Sequence, residues 1–226
     1  AHFLSRGYRG SLKGPVQVDP SLHTYLQVGD EALLLARHAP AWIARDRAEG
    51  AMAASQGADV LILDDGFQSA ALEKDLSILV VDGGYGYGNG KVIPAGPLRE
   101  TLERGHRRAD AVVMLGEDTF NIETLLHLKF GLAAHRGRIV IEQLPEGLKS
   151  MPLLAFAGIG RPEKFFASLR QAGGQVILTM PFADHHPYQE RDLQRLQKMA
   201  QSHNARLVTT EKDFVRVPPA FQTLVT

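Results

Sequence analysis

Apolar residues recur along this chain in short dense runs rather than in strict alternation. Runs at 41–44 (AWIA), 58–63 (ADVLIL), 77–82 (SILVVD), 110–115 (DAVVML), 138–142 (RIVIE), 153–157 (LLAFA), 175–180 (QVILTM) and 206–209 (RLVT) predict strands. Between them, segments 30–38, 46–57, 98–108, 120–135, 161–173 and 189–202 space their apolar positions as amphipathic helices do. Near-continuous apolar strands alternating with helices predict an α/β fold: a mostly parallel sheet with helices on both faces. In such sheets ligands bind beyond the carboxyl ends of strands. The turn-rich QLPEGLKSMP at 143–152 is the expected boundary, dividing a core lobe, 1–147, from a smaller C-terminal α/β lobe, 148–226.

Composition narrows the partners. The 226 residues carry 25 Lys plus Arg against 25 Asp plus Glu, so no overall basic field points to nucleic acid. With no cysteine, disulfides and thiolate metal sites are excluded. No apolar run approaches the roughly 18 residues that a membrane-spanning helix needs.

Four stretches carry candidate chemistry. LILDDG at 61–66 ends an apolar run, expected as a central parallel strand, in Asp64 and Asp65, a costly pairing unless a cation or a set of donors neutralises it. Such a pair can hold Mg²⁺ opposite a nucleotide phosphate, or one aspartate can cap the following turn. VGDEALLLARHAP at 28–40 brings Asp30 to a helix start behind Gly29, either as an N-cap or as a general base. PFADHHPY at 181–188 offers His185, with His186 competing, to assist a carboxylate base while Asp184 fixes the tautomer. VDGGYGYGNGKVIPAGPLRE holds five glycines in 83–90 but no phosphate-binding GxxxxGK[ST]; its end presents Arg99 at a predicted helix start for an anionic group.

Taken in order, SRGYRG at 5–10, VGDE at 28–31, DDGFQ at 64–68, NGKVIPAGPLRE at 89–100, AFAGIGRPEKFF at 155–166, FADHHPY at 182–188 and TTEKD at 209–213 resemble the tetraacyldisaccharide 4′-kinase family of lipid A synthesis. The resemblance runs along essentially the whole chain and implies a P-loop-kinase-like fold. It implies transfer of the ATP γ-phosphate to the 4′-hydroxyl of a tetraacylated glucosamine disaccharide 1-phosphate, with Mg²⁺, by a peripheral protein at the cytoplasmic face of the bacterial inner membrane. Residue by residue, it makes Asp30 the catalytic aspartate and His185 its partner in a base dyad across the lobes. Asp64 and Asp65 serve Mg²⁺ and ATP, Gln68 and Arg99 fall in motifs lining the same site, and Arg6, Gly7 and Tyr8 match the loop after the second strand. Ser69 and Ala32 depart from the family, where histidine and proline are usual. The family's GGxGKT[PS] loop and the apolar helix at its N-terminus do not occur in these residues, so the expectation is poor ATP binding and negligible turnover by this chain alone. Two other readings fit the residues: a two-metal phosphoesterase built on DHH, which would need carboxylate and histidine ligands for ions about 3.5–4 Å apart, and a non-catalytic remainder of the kinase.

Overall fold

The computed structural model describes residues 1–140 and 144–226. Its strands are β1 (His2–Ser5), β2 (Val16–Gln17), β3 (Ala41–Ile43), β4 (Leu61–Leu63), β5 (Ile78–Asp82), β6 (Ala111–Leu115), β7 (Ala134–Gly137), β8 (Pro152–Ala157), β9 (Gln175–Pro181) and β10 (Arg206–Val208). Among the described residues they form three sheets, ordered β2-β3-β1-β4, β5-β6-β7 and β10-β8-β9. Every pairing is parallel except β2 with β3. The expected α/β class with mostly parallel pairing is therefore present, distributed over three sheets rather than one.

Contacts divide the chain into two units. Ala1–Gly66 packs with the described residues of 141–226, while Phe67–Val140 forms the other unit. This grouping differs from the sequential division expected at 147/148, because the segment that closes on the first strands comes from the far end of the chain. Part of the boundary segment 143–152, and the end of the strand expected at 138–142, lie outside the described residues. Residues 138–140 are not in a strand; the third strand of the second sheet is β7, at 134–137. The helix expected over 120–135 is correspondingly shorter: Ile122–Leu125 passes into a single π-helical stretch, Leu126–Phe130, and stops at Gly131, whose φ of +65° suits glycine.

The C-terminal sheet follows the apolar pattern closely. Leu154 and Phe156 of β8 pack with Leu193, Leu196 and Ala200 of helix Glu190–Ser202. Leu153, Ala155 and Ala157 face Phe166 and Leu169 of helix Pro162–Gln171. Strand periodicity thus sends alternate residues of one run into two helix interfaces, and both faces of β8 are sealed.

The first sheet is covered more thinly. Phe3, Ala41 and Ile43 meet Val28, Ala32 and Leu33 of the helical segments Tyr25–Val28 and Asp30–Leu35. On the opposite face, helix Arg47–Ala54 approaches so closely that a Cβ at Gly50 would lie 2.5 Å from the Ala44 side chain. β4 pairs only with β1, so the strand expected to be central is an edge strand among the described residues; Ile62 is 46% exposed. It remains parallel, and its carboxyl end leads directly to Asp64 and Asp65.

In the unit of 67–140, Val81, Val112 and Met114 pack with Ile122 and Leu126. The other face of β5 is open, with Val80 59% exposed. An apolar run therefore indicated burial on both faces where the described residues cover only one.

Candidate active site

The first site element is a tight turn ahead of Asp30. Gly29 has φ +87°, and a Cβ there would meet Tyr8 O at 2.7 Å, so only glycine lets the chain pass that backbone and enter helix Asp30–Leu35. Gly29, rather than Asp30, occupies the N-cap position; Asp30 Oδ1 accepts the N–H of its own neighbour Glu31 at 3.0 Å. Its other oxygen is left for longer-range partners.

One of these is His185. Its Nδ1 donates to Asp30 Oδ2 at 2.8 Å, joining positions 155 apart in sequence, with side chains only 11% and 6% exposed. His185 adopts a left-handed backbone, φ +57°, and its N–H donates to Gly158 O at 2.9 Å. A non-glycine residue held in that conformation is the kind of strain found at functional sites. Nδ1 thus engages Asp30, the partner that the resemblance implies, while Asp184, the residue expected to fix the tautomer, has its Oδ2 3.8 Å from Nε2. Tyr8 meets the imidazole edge-on at 5.7 Å between ring centres, and Arg9 donates to Asp184 O at 3.3 Å. His186 is engaged elsewhere: it donates from Nε2 to Asp192 Oδ2 at 3.0 Å, bracing the start of helix Glu190–Ser202.

At the end of β4, Ser5 donates to Asp64 Oδ2 at 2.9 Å. Beneath it, Arg47 reaches from the first turn of its helix to Leu4 O at 2.7 Å and Asp64 O at 2.8 Å. This nearly buried guanidinium ties the ends of β1 and β4 together and supplies positive charge under the two aspartates. Burial nevertheless pushes the Asp64 carboxyl above its ordinary value, reinforced by Glu31 and Asp65, while Ser5 and Arg47 pull the other way. Asp65 is exposed and turns with φ +47°. Its hard oxygens and those of Asp64 are the donor type Mg²⁺ prefers, and Mg²⁺ commonly takes only one or two protein carboxylates beside substrate phosphates. The pair fits that demand. Among the described residues no group of three or more His, Asp or Glu could hold a metal, so a two-metal phosphoesterase centre finds no donor set there.

Gln68 and Arg99 belong to the unit of 67–140. Gln68 donates to Glu100 Oε1 at 3.3 Å, an oxygen shared with Arg108. Arg99 is exposed and stands before, not at, the start of helix Leu102–His106, which Thr101 caps by accepting the Arg104 N–H. A cavity of about 240 Å³ in this unit is lined by Glu103, His106, Arg107, Lys129 and Phe130, none of them a residue singled out from sequence. Its histidine is internally satisfied, donating from Nδ1 to Leu102 O at 2.7 Å and accepting from Tyr87 at Nε2.

Sequence reasoning passed over Arg47, Ser5, the Lys212–Glu31 pair at 2.8 Å, and Arg216, whose Nε lies 3.5 Å from Asp30 Oδ2. The TTEKD stretch was the available signal for the last two, since Lys212 lies in it and Arg216 just beyond.

Residues 1–225 match the family model described as Tetraacyldisaccharide-1-P 4'-kinase. The chain is similar to the tetraacyldisaccharide 4'-kinase of Rhodospirillum rubrum, 52% identical over 223 residues, covering 96% of this chain and 67% of that protein. The Rhodospirillum centenum protein of the same name is 54% identical over 220 residues, covering 96% and 65%. Among solved structures, the crystal structure of LpxK from Aquifex aeolicus, an "apo" form in complex with ATP, matches with a TM-score of 0.73 at 29% identity, over 96% of this chain and 70% of that one. The chain spans about two thirds of the length of these curated relatives.

Proposed function

The chain belongs to the tetraacyldisaccharide-1-P 4'-kinase family, and from that premise we propose that the protein containing it transfers the ATP γ-phosphate to the 4′-hydroxyl of a tetraacylated glucosamine disaccharide 1-phosphate. The observation that carries this reading is the enclosed Asp30–His185 hydrogen bond. Phosphoryl transfer to an alcohol needs in-line positioning, charge neutralisation and an acceptor for the hydroxyl proton. Asp30 is the acceptor. His185 Nδ1–H and the Glu31 N–H fix the carboxylate plane, so the proton leaving the alcohol meets an oriented oxygen. As the alcohol oxygen bonds to the γ-phosphorus, the bond to the β–γ bridging oxygen breaks and ADP departs.

Asp64 and Asp65 would hold Mg²⁺, which, when bound, neutralises charge developing on the phosphates. Arg47 and Ser5 keep Asp64 at the strand end, where that cation is needed. Gln68 and Arg99 we assign to nucleotide contact on their motifs alone. No helix among the described residues is long and apolar enough to cross a membrane; the acylated substrate itself supports peripheral action at the cytoplasmic face of the inner membrane.

The test is phosphate transfer from ATP to the acylated disaccharide, measured on the protein containing this chain. Asp30→Ala and His185→Ala should each lower kcat by about 10²–10⁴ with little change in the KM for ATP. Because the two act as a unit, the double variant should be little worse than the poorer single one. Near-normal kcat in folded Asp30→Ala protein would remove the catalytic assignment.

A further inference from the structure

Behind the Asp30–His185 pair lies a charged cluster that the proposed chemistry does not use. Asp213 is fully buried, and the Arg216 side chain is only 1% exposed. Burying two full charges is expensive unless nearly every donor and acceptor is satisfied. Here they are. Asp213 Oδ1 accepts from Gly158 N–H at 2.8 Å and from the Tyr188 hydroxyl at 2.7 Å, and Oδ2 accepts from Thr210 at 2.6 Å. Burial, and then the neighbouring Asp213 carboxylate, push the Tyr188 hydroxyl far up, which keeps it protonated as a donor.

Arg216 Nη2 donates to Asp213 Oδ1 at 2.5 Å and its guanidinium lies over the Tyr188 ring, 5.7 Å from the centroid; the other N–H interactions go to a particular set of targets. Nη2 donates to Gly158 O at 3.0 Å, the same carbonyl that receives the His185 N–H. Nη1 donates to His186 O at 3.3 Å, and Nε, which donates to Lys212 O at 3.4 Å, also lies 3.5 Å from Asp30 Oδ2, the oxygen that His185 bonds. One planar fork therefore grips the carbonyl that receives the His185 N–H and the carbonyl of the residue after His185, and it faces the carboxylate that His185 meets. Lysine carries the same charge but lacks the rigid fork.

We propose that Arg216, anchored by Asp213 and Tyr188, is the positioning residue of the Asp30–His185 pair, holding the His185 backbone and the Asp30 carboxylate in register. Its kinetic consequence rests on the kinase reading above; its geometric consequence does not. The experiment compares Arg216→Lys and Tyr188→Phe with the parent protein by three readouts: the His185 imidazole tautomer from nitrogen-15 NMR, kcat and KM for phosphate transfer, and the thermal midpoint. In Arg216→Lys, His185 is expected to lose its Nδ1–H tautomer, and kcat to fall about 10- to 100-fold with the KM for ATP unchanged. Tyr188→Phe removes a single hydroxyl and should move both readouts the same way, less far; it decides the matter if Arg216→Lys does not fold. Parent-like tautomer and kcat in the folded variants, even with a lowered thermal midpoint, overturn the proposal and leave Arg216 a purely structural charge. A parent protein without transfer activity would sink the kinase reading instead, and the tautomer alone would then judge the positioning role.

Discussion

The two units handle charge in opposite ways. Asp30, Arg47, Asp213 and Arg216, the buried charged side chains among the described residues, all belong to the unit built from 1–66 and the chain's last third. In 67–140 two ion pairs lie at the surface, Lys129 with Glu103, side chains 49% and 52% exposed, and Arg136 with Glu123, 68% and 44%, while Glu100, 15% exposed, pairs with arginines that are themselves 40% and 77% exposed. Surface pairs of that kind contribute little to stability, whereas a buried charge must be matched donor by donor. Interior charge therefore marks where this fold departs from simple stability, and the departures converge on Asp30, His185 and Asp64.

Three measurements bear on that contrast. The largest effect is expected from Phe156→Ala in the sealed C-terminal sheet, where a side chain with no exposed surface is removed. Truncations of this type cost about 3–5 kcal/mol, readable by denaturant unfolding. A loss below about 1 kcal/mol would mean that this core relaxes easily, a poor base for precise charge placement.

Asp64→Asn should produce a smaller and pH-dependent change. Because burial raises the Asp64 carboxyl in the folded protein, the native state holds that proton more tightly than the unfolded chain does. Its contribution is then fully present at pH below the unfolded carboxylate value and is lost as pH rises through the folded one. Asp64→Asn should accordingly unfold at higher denaturant than the parent at pH 7, in metal-free buffer, with the gap closing toward pH 3. A parent protein that instead gains relative stability at pH 7 would show that Ser5 and Arg47 outweigh burial.

The smallest effect belongs to the other unit. Val80→Thr, on the open face of β5, should change stability by no more than about 0.5 kcal/mol. A markedly larger loss would mean that this face is covered in solution, erasing part of the contrast.

Legibility from sequence followed the same division. The run LLAFA and the amphipathic helices after it announced β8 and its two helix interfaces, because period-2 and 3.6-residue patterns are local. The ILVVD run of β5 has similar composition, yet its burial depends on what lies across the sheet, which no local pattern encodes. At the site, the pairing of Asp30 with His185 was legible through the order of motifs, and DDG through its position at a strand end. Arg47 and Arg216 were not: each acts on residues 17 or more positions away, such as Leu4, Asp64, Gly158 and Asp30, and nothing in the sequence beside either arginine marks those targets. Arg99 was expected at a helix start that Thr101 in fact provides, because the threonine hydroxyl can accept an unpaired N–H of the first turn and a guanidinium cannot.

The hydrogen bond between Asp30 and His185 closes a loop of 155 residues. Contacts of such long range form late, since chain closure must be completed before they return any energy. Synthesis runs from the N- to the C-terminus, so Asp30 emerges well before its histidine and waits for its partner until His185 has left the ribosome. This contact therefore forms only after the last third of the chain has been made, and the His185 imidazole signal reports its formation.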